Sequence, residues 1–171
     1  PSAIIGGKLP FIGSNGRAGK SDIMICEACE YVDTFLKLSP AISIILNIDA
    51  DHLEYFGSLE NIIKSFHQFA NQTSKVLIVN GDDENVKKAI KDIQDVKIIT
   101  FGLGADNDYS AANIKEEPNV FEDFTLMKQG TPLTDIRLSV PGKHNIMNAL
   151  AAAATADYFG ISGNDIAKGL H

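Results

Sequence analysis

Residues 42–52 read Ile42-Ser43-Ile44-Ile45-Leu46-Asn47-Ile48-Asp49-Ala50-Asp51-His52. The first part is β-branched and apolar on both faces. A strand with that pattern belongs in a parallel sheet covered by helices on both sides. The last part turns polar at once, with two carboxylates and an imidazole just past the strand's carboxyl end. In open parallel sheets that is where ligands bind.

Working outward, the same pattern recurs. Ile23-Met24-Ile25-Cys26 on the amino-terminal side reads as a buried strand, as do Val76-Leu77-Ile78-Val79 and Val96-Lys97-Ile98-Ile99 on the carboxyl-terminal side. Helical segments separate them. Ser58 is a candidate N-cap, followed by Leu59, Ile62, Ile63, Phe66, Phe69 and Ala70 at helical spacing. Asp82-Asp83-Glu84 places negative charge at the start of the next helix, favourable to its dipole. Strand–helix alternation of this kind predicts a mostly parallel, doubly wound α/β sheet.

Between residues 109 and 140 the pattern changes. Residues 112–116, 121–127 and 134–138 alternate or cluster like antiparallel strands. Glu117-Pro118-Asn119 and Gln129-Gly130-Thr131-Pro132 supply turn signals. A small antiparallel meander appended to the main sheet is expected. Pro141-Gly142 then breaks the chain, an Ala-rich helix is expected over residues 145–158 with Gly160 ending it, and Ser162 begins another.

Composition sets the outer bounds. The chain has 171 residues, enough for a domain with a real core, 44% hydrophobic and 22% charged. The net charge of −7 argues against nucleic-acid and anionic-membrane partners, since no basic stripe is present to neutralise phosphates. No apolar run reaches the roughly 20 residues of a membrane span. The chain starts at Pro1 in folded-looking sequence with neither a signal peptide nor an initiator Met, as expected of a piece of a longer protein.

Two motifs attract a functional reading and are better explained otherwise. Ser14-Asn15-Gly16-Arg17-Ala18-Gly19-Lys20-Ser21 ends like a phosphate loop, but Ser14 stands where that loop needs Gly. An apparent strand also follows where a helix is required. A flexible loop is expected there. Cys26 and Cys29 lack a second ligand pair for zinc and read as free thiols.

Candidate chemistry lies at strand ends and at one helix start. Glu27 ends one predicted strand and His52 follows another. Neighbouring strands sit about 4.8 Å apart, so adjacent placement lets the two share a hard cation. Carboxylate oxygen suits magnesium, imidazole less so. Asp49 and Asp51 as caps with a surface His52 is the equally simple alternative. Asn145 and Asn148 lie three apart, on one side of a helix start, and amides pair with a purine edge. An N-cap at Asn145 with a solvent-facing Asn148 explains them too.

Three ordered blocks break these ties. They are Glu27-Ala28-Cys29-Glu30-Tyr31-Val32-Asp33, then Asn47-Ile48-Asp49-Ala50-Asp51-His52-Leu53, then Pro141-Gly142-Lys143-His144-Asn145 with Asn148-Ala149-Leu150. In order and spacing they resemble the central domain of Mur ligases, over essentially the whole chain. The resemblance implies ATP and Mg2+ as cofactors. It implies Glu27 and His52 as metal-holding catalytic residues, converging at the sheet's carboxyl edge. By the same resemblance His144, Asn145 and Asn148 pack against and read adenine. Asn15 and Arg17, in the segment before the glutamate strand, lie near the muramyl substrate.

The resemblance also implies what the 171 residues lack. The phosphate loop would precede Pro1, as would a UDP-binding domain, and an amino-acid-binding domain would follow. The chain alone is then expected to be inactive, to bind ATP weakly, and to self-associate through uncovered strand edges. Sister ligases acting later carry a carbamylated lysine where Phe66 and His67 stand here. The resemblance is therefore closest to the members that join L-alanine to UDP-N-acetylmuramate, in cytoplasmic peptidoglycan precursor synthesis. A tripeptide-recycling ligase, a folylpolyglutamate synthetase-like ligase and a non-catalytic nucleotide-binding module are the alternatives.

Overall fold

The computed structural model describes residues 1–115 and 122–171. The expected turn at Glu117-Pro118-Asn119, Glu116 at the end of one expected strand and Phe121 at the start of another lie outside the described residues. The chain divides into two compact units, Pro1–Leu38 and Ser39–His171.

The first unit is a three-stranded sheet of order β2-β1-β3. β1 (Ser2–Leu9) pairs antiparallel with β2 (Ser14–Arg17) and parallel with β3 (Met24–Cys26). Two expectations are corrected here. The stretch ending in Gly19-Lys20-Ser21 begins as strand β2, not as a flexible loop, and no helix follows it, so its amides are not gathered at a helix start. β3 is a strand as expected but is not buried: Met24 is 58% and Ile25 54% exposed. A run apolar on both faces is buried only where both faces are covered, and this unit contains no α-helix. Its second half is a 3-10 segment, Tyr31–Lys37, interrupted at Val32 and Asp33, both with φ of 54°. A β-branched residue in that region is a genuine outlier.

The second unit carries the parallel strands and meander that the sequence predicts, with two corrections. Met24–Cys26 belongs to the other sheet, so Glu27 and His52 do not follow paired strands. The first strand of this sheet is buried only at Ser43 and Ile45. The sheet's order is β4-β5-β6-β7-β8-β9. β4 (Ile42–Ile45), β5 (Val76–Asn80) and β6 (Lys97–Phe101) run parallel. β7 (Tyr109–Lys115) joins them through one parallel pair, Phe101 opposite Tyr109. β8 (Asp123–Lys128) and β9 (Thr131–Arg137) complete an antiparallel meander. The turn is tighter than the sequence indicated. Gln129 and Gly130, at φ of 49° and 74°, make a two-residue hairpin, and Thr131 and Pro132 already belong to β9. Proline is tolerated there because β9 is the edge strand.

Helices cover both faces of β5, whose residues are all buried. Leu77 and Val79 point into one core with α1 (Leu53–Phe56), α2 (Leu59–Asn71) and α3 (Glu84–Ile90). Val76 and Ile78 point into the other with α4 (Lys143–Tyr158) and α5 (Gly163–Leu170). The cap expected at Ser58 forms, and the helix starts expected at Asp83 and Ser162 are capped by those side chains too. Ser58 accepts from the Asn61 amide and Asp83 from those of Asn85 and Val86, while Ser162 accepts from that of Asp165. Gly160, at φ of 76°, closes α4, with the Ile161 amide returning to the Ala156 carbonyl. No described helix is long and apolar enough to cross a membrane.

One polar cluster fastens α4 to the meander. Tyr109 Oη donates to Asp157 Oδ2 at 2.5 Å and Lys128 Nζ to the same oxygen at 2.6 Å. Burial pushes the Asp157 carboxyl up, but the bonds from Lys128 and Tyr109 and the Lys128 charge outweigh it, holding the group below its usual 3.8. Burial and the Asp157 partner push the Tyr109 phenol up. A carboxylate with a depressed folded pKa adds stability above its unfolded pKa and loses it as pH falls through the folded value. Asp157→Asn is therefore expected to cost about 1–3 kcal/mol at neutral pH. That difference should shrink below about pH 4, as read by urea unfolding across pH; a pH-independent difference would contradict the assignment.

Candidate functional site

In the first unit, Glu27 follows β3 directly. Its amide donates to the Ile4 carbonyl at 2.9 Å, and its Oε2 accepts from the Gly6 amide at 2.6 Å. A Cβ on Gly6 would lie 2.7 Å from Glu27 Oε1. Glycine is thus what lets the carboxylate rest against β1, and a side chain there would push it aside. Asn15 and Arg17 sit two apart on β2, both exposed, so they share one face of that strand. Cys26 and Cys29 are free and exposed, as expected.

In the second unit, the residues after β4 depart from the sequence expectation of one strand through Ile48. The parallel ladder stops at Ile45 opposite Val79. Ile48 remains in the core at 2% exposure. Its backbone is held by side chains instead: Ile48 N donates to Asp83 Oδ2 at 3.4 Å, and Asn85 Nδ2 donates to the Ile48 carbonyl at 2.9 Å. Asn80 Nδ2 donates to the Leu46 carbonyl at 2.9 Å. Beyond this anchor, Asp49 and Asp51 are exposed, and their carboxylates accept from the next amide along the chain, those of Ala50 and His52. Both are local turn-formers, as the simpler sequence reading had it.

His52 is the N-cap of α1, its carbonyl accepting from the Tyr55 and Phe56 amides. Its φ is 52°, a left-handed conformation that costs a non-glycine residue about 1–2 kcal/mol. The ring lies between carboxylates, Nδ1 3.5 Å from Glu54 and Nε2 4.0 Å from Asp51. Next along the sheet, Asp82 accepts from the Leu103 and Gly104 amides at 2.6 and 3.1 Å and from Asn107 Nδ2 at 2.8 Å. Burial pushes its carboxyl up, but those three bonds and the Lys87 charge leave it below the ordinary value.

His144, Asn145 and Asn148 lie in the first turns of α4, which begins at Lys143, two residues before the expected start. Asn145 is therefore not the N-cap; Gly142 is. Asn145 Nδ2 donates to the Pro141 carbonyl at 2.8 Å, and Asn148 Nδ2 to Asn145 Oδ1 at 3.4 Å, so the two amides share a face as their spacing predicts. His144 and Asn148 are exposed.

Among the described residues no three His, Cys, Asp or Glu side chains cluster as a metal cage. A magnesium ion carried by substrate phosphates takes one or two protein carboxylates and keeps the rest as water and phosphate oxygen. By donor chemistry the exposed Glu27 carboxylate fits such a role, and the part-exposed His52 imidazole fits it less well. Sequence motifs do not single out Asn80 and Asn85, and they mark Asp83 only as charge at a helix start. The available signal is a polar residue, Asn80, closing a strand that is otherwise apolar and wholly buried.

A doubly wound sheet with acids, a histidine and amides around its strand and helix ends is an α/β domain built to hold a ligand. The Mur ligase middle domain family matches residues 8–156, and the chain belongs to that family. It is 42% identical, over 99% of its length, to the UDP-N-acetylmuramate–L-alanine ligase of Acetivibrio thermocellus, and 41% identical to that of Clostridium tetani. The chain spans 37% of the length of each. Among solved structures it superposes on UDP-N-acetylmuramate-alanine ligase MurC from Thermotoga maritima. That match has a TM-score of 0.82 at 26% identity, covering 99% of this chain and 37% of that one. The fold is also that of the MurF ligase from Thermotoga maritima in complex with ADP, with a TM-score of 0.72 at 15% identity, covering 96% of this chain and 41% of that one.

Proposed function

We propose that the full-length protein containing this chain joins L-alanine to UDP-N-acetylmuramate at the expense of ATP, in peptidoglycan precursor synthesis. The observation that carries this reading is identity near 40% over nearly the whole chain to ligases of that name. A reaction that consumes ATP and free L-alanine belongs in the cytoplasm.

The chemistry explains the need for a nucleotide site. A carboxylate is a poor electrophile. Transfer of the γ-phosphoryl group to the lactyl carboxylate releases ADP and makes an acyl phosphate. The neutral alanine amine then attacks the carbonyl carbon, the nitrogen gives up a proton to solvent, the C–O bond to phosphate breaks, phosphate leaves and an amide remains. Magnesium, when bound, neutralises the phosphates and the charge that develops in transfer. Glu27 would hold magnesium at the ATP phosphates, and His52 would help hold a second magnesium. His144, Asn145 and Asn148 receive the adenine, and Asn15 and Arg17, on one face of β2, face the muramyl substrate. The 171 residues hold part of this machinery, and the rest lies elsewhere in the full-length protein.

Phosphate release by the full-length protein, with UDP-N-acetylmuramate, ATP and a panel of amino acids, tests the proposal. The highest kcat/KM is expected with L-alanine. A preference for a preformed tripeptide would instead identify a recycling ligase. Nucleotide binding without turnover on any substrate would identify a non-catalytic module.

A further inference from the structure

We propose that Asn80, Asp83 and Asn85, on the connection between β5 and α3, are positioning residues that hold the segment carrying His52 in its working conformation. This rests on the reading of His52 as a magnesium ligand.

The geometry is specific. Once the β4–β5 ladder ends at Ile45, a continuing strand would need backbone partners for Leu46 and Ile48. Three side chains of the next connection supply them: Asn80 to the Leu46 carbonyl, Asp83 to the Ile48 amide and Asn85 to the Ile48 carbonyl. Both polar groups of Ile48 are thereby tied to one turn. That turn is itself rigid. Asp83 Oδ1 caps α3 through the Asn85 and Val86 amides at 2.8 and 2.9 Å, leaving Oδ2 to reach Ile48. α3 is rooted in the core by Val86 and Ala89, both fully buried. Asn80 Oδ1 also accepts from the Asp82 amide. The adjacent carboxylates divide the work, Asp82 fastening the connection after β6 and Asp83 the one after β4.

His52, four residues beyond this anchor, sits at positive φ. A non-glycine residue persists there only where its surroundings over-determine it. The intervening residues, Asp49 to Asp51, are exposed and bonded locally, and the anchored end at Ile48 and α1 frame them from either side. Partners that orient a metal ligand typically change metal affinity about 10- to 100-fold when removed.

Three variants of the full-length protein test this. Asn85→Asp is isosteric and removes the donor to Ile48. Asp83→Ser keeps an N-cap hydroxyl for α3 but is too short to reach Ile48. His52→Asn removes the imidazole while tolerating the left-handed backbone. The first readout is hydrogen exchange without metal or nucleotide. Residues 46–56 are expected to exchange about tenfold or more faster in Asn85→Asp and Asp83→Ser, with residues 145–156 unchanged as internal control. The second is the apparent magnesium constant for phosphate release, which does not depend on the fraction of protein that folds. It is expected to rise about tenfold or more in all three variants. An unchanged constant in His52→Asn overturns the reading of His52 and this proposal with it. A raised constant in His52→Asn, with unchanged exchange or an unchanged constant in the other two, overturns the positioning role alone and leaves a purely structural strap. Should Asn85→Asp fail to fold, Asp83→Ser carries the same two readouts.

Discussion

Glu27→Gln in the full-length protein is expected to lower ligase turnover about 10²- to 10³-fold, or about 3–4 kcal/mol of transition-state stabilisation. The substitution changes little else. Glutamine keeps the length of the side chain and an oxygen that can accept from the Gly6 amide, so the bond that seats Glu27 on β1 survives. What is lost is the negative charge, and with it the affinity of a hard oxygen donor for magnesium. Circular dichroism should match the unsubstituted protein. Raising magnesium should recover part of the activity, because a neutral amide oxygen remains a weak donor. Turnover near the wild-type rate at all magnesium concentrations would remove Glu27 from the metal site.

Phe101→Ala is expected to carry the largest stability cost, about 3–5 kcal/mol. Phe101 is fully buried in the core that joins β5, β6 and the meander to α4. It is also the sole register partner of β7 in the parallel part of the sheet, opposite Tyr109. Its carbonyl receives the Gly81 amide, and the Gly102 amide beside it reaches the Tyr109 carbonyl. Removing the ring leaves a cavity at the point where parallel and antiparallel halves meet. A domain has only about 5–15 kcal/mol in total, so much of the margin goes. Leu103→Ala, at a residue 40% exposed, is the control and should stay within about 1 kcal/mol. Equilibrium urea unfolding compares the two. A loss for Phe101→Ala no greater than for Leu103→Ala would show that this junction is not a stability-determining contact.

Much of this molecule is written locally. The run at residues 76–79 announces a buried parallel strand because every position is apolar, a pattern that only a sheet covered on both faces can use. The run at residues 42–45 announces a parallel strand too, but β4 ends the sheet order and leaves Ile44 43% exposed. Ser58 and Ser162 announce helix starts because a short acceptor side chain satisfies amides two or three residues ahead, and Asp82-Asp83-Glu84 announces another by its charge. The stretch ending at Gly19-Lys20-Ser21 is set aside on sequence because a phosphate loop needs a helix after it, and in the structure strand β3 follows it. Asn145 and Asn148 share a face because helical geometry alone requires it.

What tertiary structure decided is pairing at a distance. Apolarity at Met24 and Ile25 is compatible with burial, yet among the described residues β3 pairs with β1 alone and stays exposed. Residues 46–48 look like more strand, but their backbone partners come from Asn80, Asp83 and Asn85, separated by 34 to 37 positions in sequence. Hydrophobic periodicity specifies which face of an element is buried, not which element lies beside it or where a ladder stops. The side-chain acceptor that caps α3 is legible because it acts on its neighbours. The second oxygen of the same carboxylate, turned toward Ile48, acts across the sheet, and only the packed chain brings that partner within reach.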